Sequence, residues 1–499
     1  MRVLLLSFAF YCRNESRCTF EYRSLRKGHC AAYFARNING KLYAGYNLAF
    51  FQGYCYNIGM EEVKKKSVSS EDMLDCMNFA DEFTDELKKY PHRITGSADE
   101  TACARAIRNR LHDETGAKTR LEAFNGYPLF GRGSFLYMGI WYAICYMIYF
   151  VSFAGGRVGG ALITMFALLA FFAGGTVIAM QYLGKRKLLG IYKKKVSYNV
   201  VSEYSKNDAP TRTIIIADNH DATLGTAVKD FDLMRKLSLI IAPVSVFLFV
   251  LFCILKMAIG TDGANVTAKI TAFTVLPFMS GVFGIAAFVL HFSPREKNAR
   301  QNNGVSTAVA MATYAYFVDR DEKLADDVKI VYASFGGENS GRCGSYEFVQ
   351  AHPEFAGAQV LCVGDILGND LQVAEYDAVR RIQFSTDTVA VLHASAIEQG
   401  IPLKTAPHDD LKHKFNSLHG YTSNAFAKNG NPTATVLSKD YSEGACAVSR
   451  ETIENLFALC VGTVEKLMSK REQQNEDDKK DELKVAPSAE MEIVDVESK

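Results

Sequence analysis

Two kinds of signal that often assign a function are missing from this sequence of 499 residues. The net charge is only +1, so no strong field points to nucleic acid or to another polyanion as a partner. None of the twelve cysteines forms a CxxC pair, which argues against a zinc ribbon or a disulfide framework. Scattered cysteines of this kind are typical of reduced thiols in a cytoplasmic domain.

The first 59 residues begin with an apolar stretch but lack a convincing signal-peptide cleavage site. They contain four of the cysteines and only two acidic residues, so their composition differs from that of the rest. From Met60 onward the sequence is typical of a soluble N-terminus that leads into a helix. We therefore treat residues 1–59 as a doubtful N-terminal extension and predict that the protein starts at Met60.

Four segments are apolar and long enough to cross a bilayer: residues 135–154, 159–183, 237–257 and 270–292. A buried core helix is the alternative for any one of them. Because they are arranged as two hairpins, at residues 134–183 and 237–292, the pattern predicts four transmembrane helices that contact membrane lipid.

Basic residues on one side of these segments set the expected orientation. They follow the second and the fourth segment, whereas the loops on the other side are short and poor in cations. The positive-inside rule therefore places all the soluble pieces in the cytoplasm, where they can form one domain. The residues that anchor this topology are Lys185, Arg186, Lys187, Arg295 and Lys297.

The soluble pieces show alternating strand and helix patterns. Residues 60–133 are predicted to be the N-terminal helical part of the domain, with helices at about residues 70–90 and from Ser97 to about His112. Residues 184–236 are predicted to contribute strands, and residues 293–469 to form the main part of the domain. Predicted strands are residues 198–201, 213–217, 328–335, 359–363, 389–392 and 433–437. The pattern indicates an α/β fold with a mostly parallel, mixed sheet flanked by helices. Residues 470–499 are charged and lack aromatics, which predicts a disordered tail.

Polar residues follow several of these strands. Asp218-Asn219-His220-Asp221 follows one strand, Glu338-Asn339 a second and Asp365 a third, while Asn302-Asn303 precedes a helix. Ligand sites of open α/β sheets lie at the carboxyl ends of the strands. We therefore expect these segments to converge on one crevice.

The order and spacing of several motifs carry a resemblance to a known family. They are residues 91–97 (Pro-His-Arg-Ile-Thr-Gly-Ser), Asn199-Val200, the strand ending at Ala217, Asn303-Gly304, Glu338, Gly344-Ser345 and Asp365. The chain resembles the zinc aminopeptidases of peptidase family M28, in particular bacterial members with transmembrane hairpins inserted in the peptidase domain. This resemblance implies a zinc-aminopeptidase-like fold and a place in the bacterial inner membrane.

The resemblance also implies a set of site residues, part of which this sequence retains. His220 matches the first metal ligand, and Asp365 matches a later acidic ligand. Glu338 matches the general base, which is the first residue of the Glu-Glu pair of the family. These residues are the candidates for a residual metal site and its base.

Other ligand positions of the family are degraded in this sequence. Asn302 stands where the bridging aspartate is expected, and Asn339 stands where the second glutamate of the pair is expected. Residues 442–446 contain no histidine at the position of the last ligand. Amide oxygens bind zinc weakly compared with imidazole, thiolate or carboxylate. Two metals are therefore not expected, and zinc is expected at one position at most.

Several of these motifs also have simpler structural interpretations. Residues 302–304 also suit a turn and helix cap. The glycines at 336–341 lack the Lys-Ser/Thr of a phosphate loop. The His/Asp cluster at 408–419 matches no standard zinc spacing, and a solvated loop explains it as well. Glu443 or Cys446 is a further candidate to replace the missing histidine.

Three functions remain open from the sequence. The first is a membrane-anchored pseudopeptidase that binds a peptide, a partner or a small ligand without hydrolysis and without a cofactor. The second is an active aminopeptidase with a single metal or substituted ligands. The third is a structural membrane protein whose soluble domain supports assembly.

Overall fold

The computed structural model describes residues 68–130, 133–183, 185–222, 232–290, 304–406, 421–438 and 448–485. The predictions for residues 1–59, Asn302, Arg295 and Lys297 lie outside these residues, as do those for segments 408–419 and 442–446.

In the part of the chain that the structure describes, the strands form one mixed sheet of eight strands and a separate two-stranded pair, β7-β8. The order in the large sheet is β1-β2-β4-β3-β5-β10-β6-β9. Its centre is parallel, because β4, β3, β5 and β10 run in one direction. The strands are β1 (Lys118–Gly126), β2 (Lys195–Ser205), β3 (Arg212–Asn219), β4 (Val328–Phe335), β5 (Gln359–Ile366), β6 (Gln372–Ala374), β7 (Tyr376–Asp377), β8 (Ile382–Gln383), β9 (Lys404–Thr405) and β10 (Thr433–Ser438).

Helices cover both faces of this sheet, so the predicted α/β class is confirmed. The helices are α1 (Ser70–Leu87), α2 (Ala98–Thr115), α3 (Ser134–Val151), α4 (Gly156–Tyr182), α5 (Asp232–Ile259), α6 (Val266–Leu290), α7 (Gly304–Asp319), α8 (Cys343–Ala351), α9 (Thr386–Gln399), α10 (Ser423–Lys428) and α11 (Arg450–Val485). Helices α1, α2, α7, α9 and α11 pack on one face, and α8 and α10 on the other. Strand β3 is buried on both sides because Ile214 and Ile216 face the first group while Ile215 faces the second.

The strand predicted at residues 389–392 is wrong, since these residues lie within helix α9. A short apolar run does not distinguish a buried strand from a helix. The residues at its two ends show that the segment is a helix. The Ser385 side chain accepts from the Thr388 N–H at 3.3 Å, and Gly400 ends the helix with φ 65°. Both are helix-terminus signals that the sequence contains.

Helix α11 continues to Val485, past the point where the sequence predicted disorder. Its last part is rich in Glu, Lys and Gln, which favour helix. Opposite charges also recur at helical spacing, as with Glu476 and Lys480. Composition therefore did not predict the helical conformation of residues 470–485.

The apolar segments form a helical bundle. Among the described residues, three stretches are long and apolar enough to cross a membrane: Ser134–Tyr182, Ile240–Ile259 and Val266–Val289. The first of them contains both α3 and α4. Helix α3 packs on α4 and α6, and α5 packs on α6 and α4. Membrane-spanning by all four helices stays a prediction.

Polar contacts join the two hairpins inside this bundle. Pro277 of α6 has no N–H, so the Phe273 carbonyl lacks its usual partner four residues later. The buried Tyr149 hydroxyl of α3 donates to that carbonyl at 3.0 Å. Lys256 of α5 donates to the Tyr149 carbonyl at 3.2 Å and to the Ser152 hydroxyl at 2.6 Å. The hairpins are thus joined by specific hydrogen bonds as well as by apolar packing.

Candidate functional site

The site is built where strands β3 and β4 end side by side. The two strands are parallel, and Asn219 lies opposite Phe335 at their carboxyl ends. The pairing continues one residue further, because the His220 N–H donates to the Phe335 carbonyl at 3.2 Å. The turns after both strands therefore meet, as the sequence predicted for residues 218–221 and for Glu338-Asn339.

Asn339 and Asp221 form the central contact of the site. The Asn339 backbone N–H donates to Asp221 Oδ2 at 2.8 Å. The side-chain amide of Asn339 donates to Asp221 Oδ1 and to the Asp221 carbonyl, each at 3.1 Å. Both oxygens of the Asp221 carboxyl group are thus engaged by Asn339. Burial raises the pKa of Asp221 to about 7.

Glu338, the would-be base, is also held by protein groups. Its side chain is fully buried. Oε1 accepts from the Ser345 backbone N–H at 2.7 Å, and Oε2 lies 3.5 Å from a guanidinium nitrogen of Arg342. Arg342 adopts a left-handed conformation with φ 55° just before helix α8. A non-glycine residue in this region is uncommon and often marks a functional turn.

The loop that contains Glu338 is fixed by the motif residues Asn199 and Gly344. The Asn199 side chain accepts from the Gly336 N–H at 3.3 Å and donates to the Gly344 carbonyl at 3.0 Å. A Cβ at Gly344 would lie 2.3 Å from the Gly336 carbonyl oxygen. Only glycine permits this close approach. These residues therefore have a positioning role.

His220 is a buried imidazole with one nitrogen engaged. Nδ1 lies 2.9 Å from the Ser334 hydroxyl. Nε2 is buried and has no hydrogen-bond partner among the described residues. Burial lowers the pKa of His220 to about 3, so the ring is neutral at physiological pH. Arg93 of the 91–97 motif fixes the turn, because its Nε donates to the His220 carbonyl at 2.8 Å.

Glu100 is a buried acid next to the site that the sequence analysis did not propose. It lies in the first turn of α2, where the Ser97 side chain accepts from the Glu100 N–H at 3.1 Å. Its own carboxyl group accepts from the Gly96 N–H at 2.6 Å and from the Ser197 hydroxyl. Burial and the nearby Asp221 raise the pKa of Glu100 to about 8. The sequence from Ser97 to Glu100 is typical of a helix N-terminus, and it did not indicate that the Glu100 side chain would be buried.

Asp218 belongs to the same strand end but is directed into the core. It is fully buried and accepts from the Tyr332 hydroxyl at 3.2 Å. Burial raises the pKa of Asp218 to about 7. We assign it a structural role.

Asp365 lies near the end of β5, where the pairing with β10 is irregular between Val436 and Ser438. Such bulges change the direction of side chains near functional sites. Asp365 is half-buried. Within the described part of the chain, no group of three His, Cys, Asp or Glu side chains is arranged to hold a metal ion.

Comparison with known proteins gives similarity at the level of solved structures. No protein-family model and no curated protein matches this chain. The aminopeptidase from Aneurinibacillus sp. strain AM-1 is 12% identical with a TM-score of 0.40, covering 80% of this chain and 93% of that one. BSAP, a zinc aminopeptidase from Bacillus subtilis, is 10% identical with a TM-score of 0.41, covering 79% and 94%. Fimbriiglobus ruber glutaminyl cyclase is 12% identical with a TM-score of 0.41, covering 78% and 94%.

Proposed function

We propose that this protein is a membrane-anchored pseudopeptidase, which binds a peptide or a protein partner at the carboxyl edge of its sheet without hydrolysing it. The observation that carries this proposal is the contact between Asn339 and Asp221. An amide donor occupies a position where the resemblance implies a metal-binding carboxylate. It binds the neighbouring carboxyl group directly, so this part of the site is complete without a metal.

The surroundings of Glu338 support the same conclusion. A general base must reach the proton that it removes, directly or through one water. Here Oε1 accepts from the Ser345 N–H and Oε2 is next to Arg342, in a position without solvent access. Both oxygens of this buried acid already lie against protein donors, so neither is placed to take a proton from a water molecule.

The decisive measurement is the zinc content per chain of detergent-purified full-length protein, by elemental mass spectrometry, together with peptide hydrolysis by the same sample. The proposal predicts no tightly held zinc and no release of amino acids from unblocked peptides. E338Q is the matched control, because hydrolysis that persists in this variant comes from a contaminant. Two zinc ions per chain with hydrolysis lost in E338Q would refute the proposal.

A single-metal aminopeptidase is the second candidate, and one observation favours it. Nε2 of His220 is buried and has no hydrogen-bond partner among the described residues. In the neutral tautomer in which Nδ1 donates to the Ser334 hydroxyl, Nε2 is unprotonated. An imidazole nitrogen in this state suits zinc. This candidate predicts one zinc per chain that is lost in H220A but retained in H352A, a variant of a half-buried surface histidine.

Membrane anchoring is part of the proposal and is tested separately. The three apolar stretches support it, and the basic residues after them support a cytoplasmic soluble domain in a bacterial inner membrane. Trp141 of α3 is the only tryptophan and is 37% exposed. In liposomes, brominated lipids should quench its fluorescence strongly, whereas aqueous iodide should not. The reverse pattern would place α3 in water.

A further inference from the structure

The two helical hairpins leave the sheet from the edge that carries the candidate site. The first lies between β1 and β2, where Gly126 pairs with Lys195. The second follows β3, whose last residue, Asn219, lies opposite Phe335 of β4. Because β2 is antiparallel to β4, the start of β2 lies at the edge where β3 and β4 end. Both hairpins therefore connect to the edge that contains Asp221 and Glu338.

The base of the first hairpin packs directly on the site loop, residues 338–342. We call this base the hairpin foot and define it as Phe130, Tyr137, Tyr182, Leu189 and Tyr192, whose side chains form one apolar cluster with Cys343. The Phe130 and Tyr182 rings are 5.3 Å apart, and the Tyr137 and Tyr192 rings are 4.9 Å apart.

Gly341 is the point of closest approach between the loop and the foot. It has φ 93°, and a Cβ there would lie 3.0 Å from Phe130 and 3.3 Å from Leu189. Ala222, which follows His220-Asp221, is covered by the same hairpin, since it clusters with Leu129 and with Leu136 of α3. Both halves of the site are thus shielded by the hairpin.

Exposed cations lie at this edge as well. Lys193, Lys194 and Lys195 precede or begin β2 and are exposed, as is Lys185 after α4. Basic residues next to transmembrane helices are attracted to anionic lipid headgroups. With the hairpins in the bilayer, this arrangement holds the site edge of the sheet against the membrane surface.

We propose that the site takes the free end of a peptide that is itself anchored in the same membrane, rather than a freely diffusing peptide. This inference rests on the proposed peptide binding and membrane anchoring. Asp221 and Glu338 are buried, whereas Asn339 and Gly341 of the site loop are half-buried. A ligand therefore contacts the loop at these two residues, beside the hairpin foot. Confinement to the membrane surface raises the effective concentration of an anchored ligand by orders of magnitude.

The test uses the full-length protein in nanodiscs that contain anionic phospholipid. Two photoreactive probes share one short peptide with a benzophenone residue near its free N-terminus. One carries a palmitoylated C-terminal lysine and the other an acetylated one. Crosslinked positions are mapped by mass spectrometry. We expect the anchored probe to label residues 338–342 about tenfold or more above the soluble probe at equal total concentration.

Residues 353–358 are the internal control, because they precede β5 at the opposite edge of the sheet. Labelling there should be weak and should not depend on the anchor. Equal labelling of the site loop by both probes overturns the inference but leaves peptide binding standing. Equal labelling by a photoreactive palmitoyl lipid without peptide, or no loop labelling by either probe, also overturns it. Cleavage of the probes contradicts the non-hydrolytic function alone, and it is read from the probe masses in the same sample.

Discussion

The side chain of Asn339 and its backbone N–H together hold both carboxyl oxygens of Asp221, at 3.1 and 2.8 Å. Asp221 is buried and Asn339 is half-buried at the junction of β3 and β4, next to Glu338. The amide is therefore an integral part of the site, and replacing it with the carboxylate expected from the resemblance has physical consequences.

N339E should destabilise the protein in the absence of metal. The substitution removes the amide donor to Asp221 and places a further acid beside Asp221 and Glu338. Losing hydrogen bonds to the buried Asp221 carboxyl group and adding a half-buried acid beside it costs about 2–4 kcal/mol. Zinc should recover part of the loss, since a dication offsets the repulsion. Thermal unfolding in detergent, with and without zinc, measures both effects.

N109E is the matched control for that experiment. Asn109 is an exposed residue of α2, so the same chemical change there should shift the unfolding midpoint little. Equal stability of N339E and wild type would mean that the Asn339–Asp221 contact does not stabilise the fold.

The sequence was sufficient to locate the two turns of the site but did not reveal their chemistry. Strand ends followed by polar residues predicted that residues 218–221 would meet Glu338-Asn339, and they do. The acid Glu100 was missed because its capping sequence suits an exposed helix start equally well. The strand predicted at residues 389–392 failed because a short apolar run is compatible with either structure. Burial and hydrogen-bond partners depend on tertiary packing, which one sequence does not encode locally.

G341A should weaken the contact between the site loop and the hairpin foot. Gly341 and Gly357 both have positive φ, 93° and 79°, so alanine is strained at either position. A Cβ at position 341 meets Phe130 and Leu189, whereas at position 357 nothing lies within 4 Å. G341A should therefore lower the unfolding midpoint more than G357A, with an added cost of about 1–3 kcal/mol. Equal shifts for the two variants would show that the foot does not pack on this loop.

E100Q should flatten the pH dependence of stability between pH 5 and 8. Burial raises the pKa of Glu100 from 4.5 to about 8, so the folded state holds this proton more tightly than the unfolded state does. The resulting stabilisation is complete below pH 4.5 and is lost as the pH rises through about 8. Glutamine cannot ionise, so the free energy of unfolding should fall less steeply with pH in this variant, by up to about 1.4 kcal/mol per pH unit.

Unfolding midpoints across this pH range test that expectation. Asp218 and Asp221, whose pKa values are also raised, should maintain part of the slope in E100Q. E71Q changes an exposed acid in the first turn of α1 and should leave the slope unchanged. If E100Q and E71Q behave alike, the Glu100 carboxyl group does not hold its proton in the folded protein.

Y149F should destabilise the helical bundle, and the loss should depend on Pro277. The Tyr149 hydroxyl supplies the donor that the Phe273 carbonyl lacks because proline has no N–H. Interhelical hydrogen bonds of this kind contribute about 0.6–1.7 kcal/mol in membrane proteins. P277A restores a backbone donor to the same carbonyl, so Y149F should cost less in the P277A background than in wild type. A double-mutant cycle of unfolding in bicelles measures this coupling. Additive effects of the two substitutions would mean that the hydroxyl does not compensate for the proline.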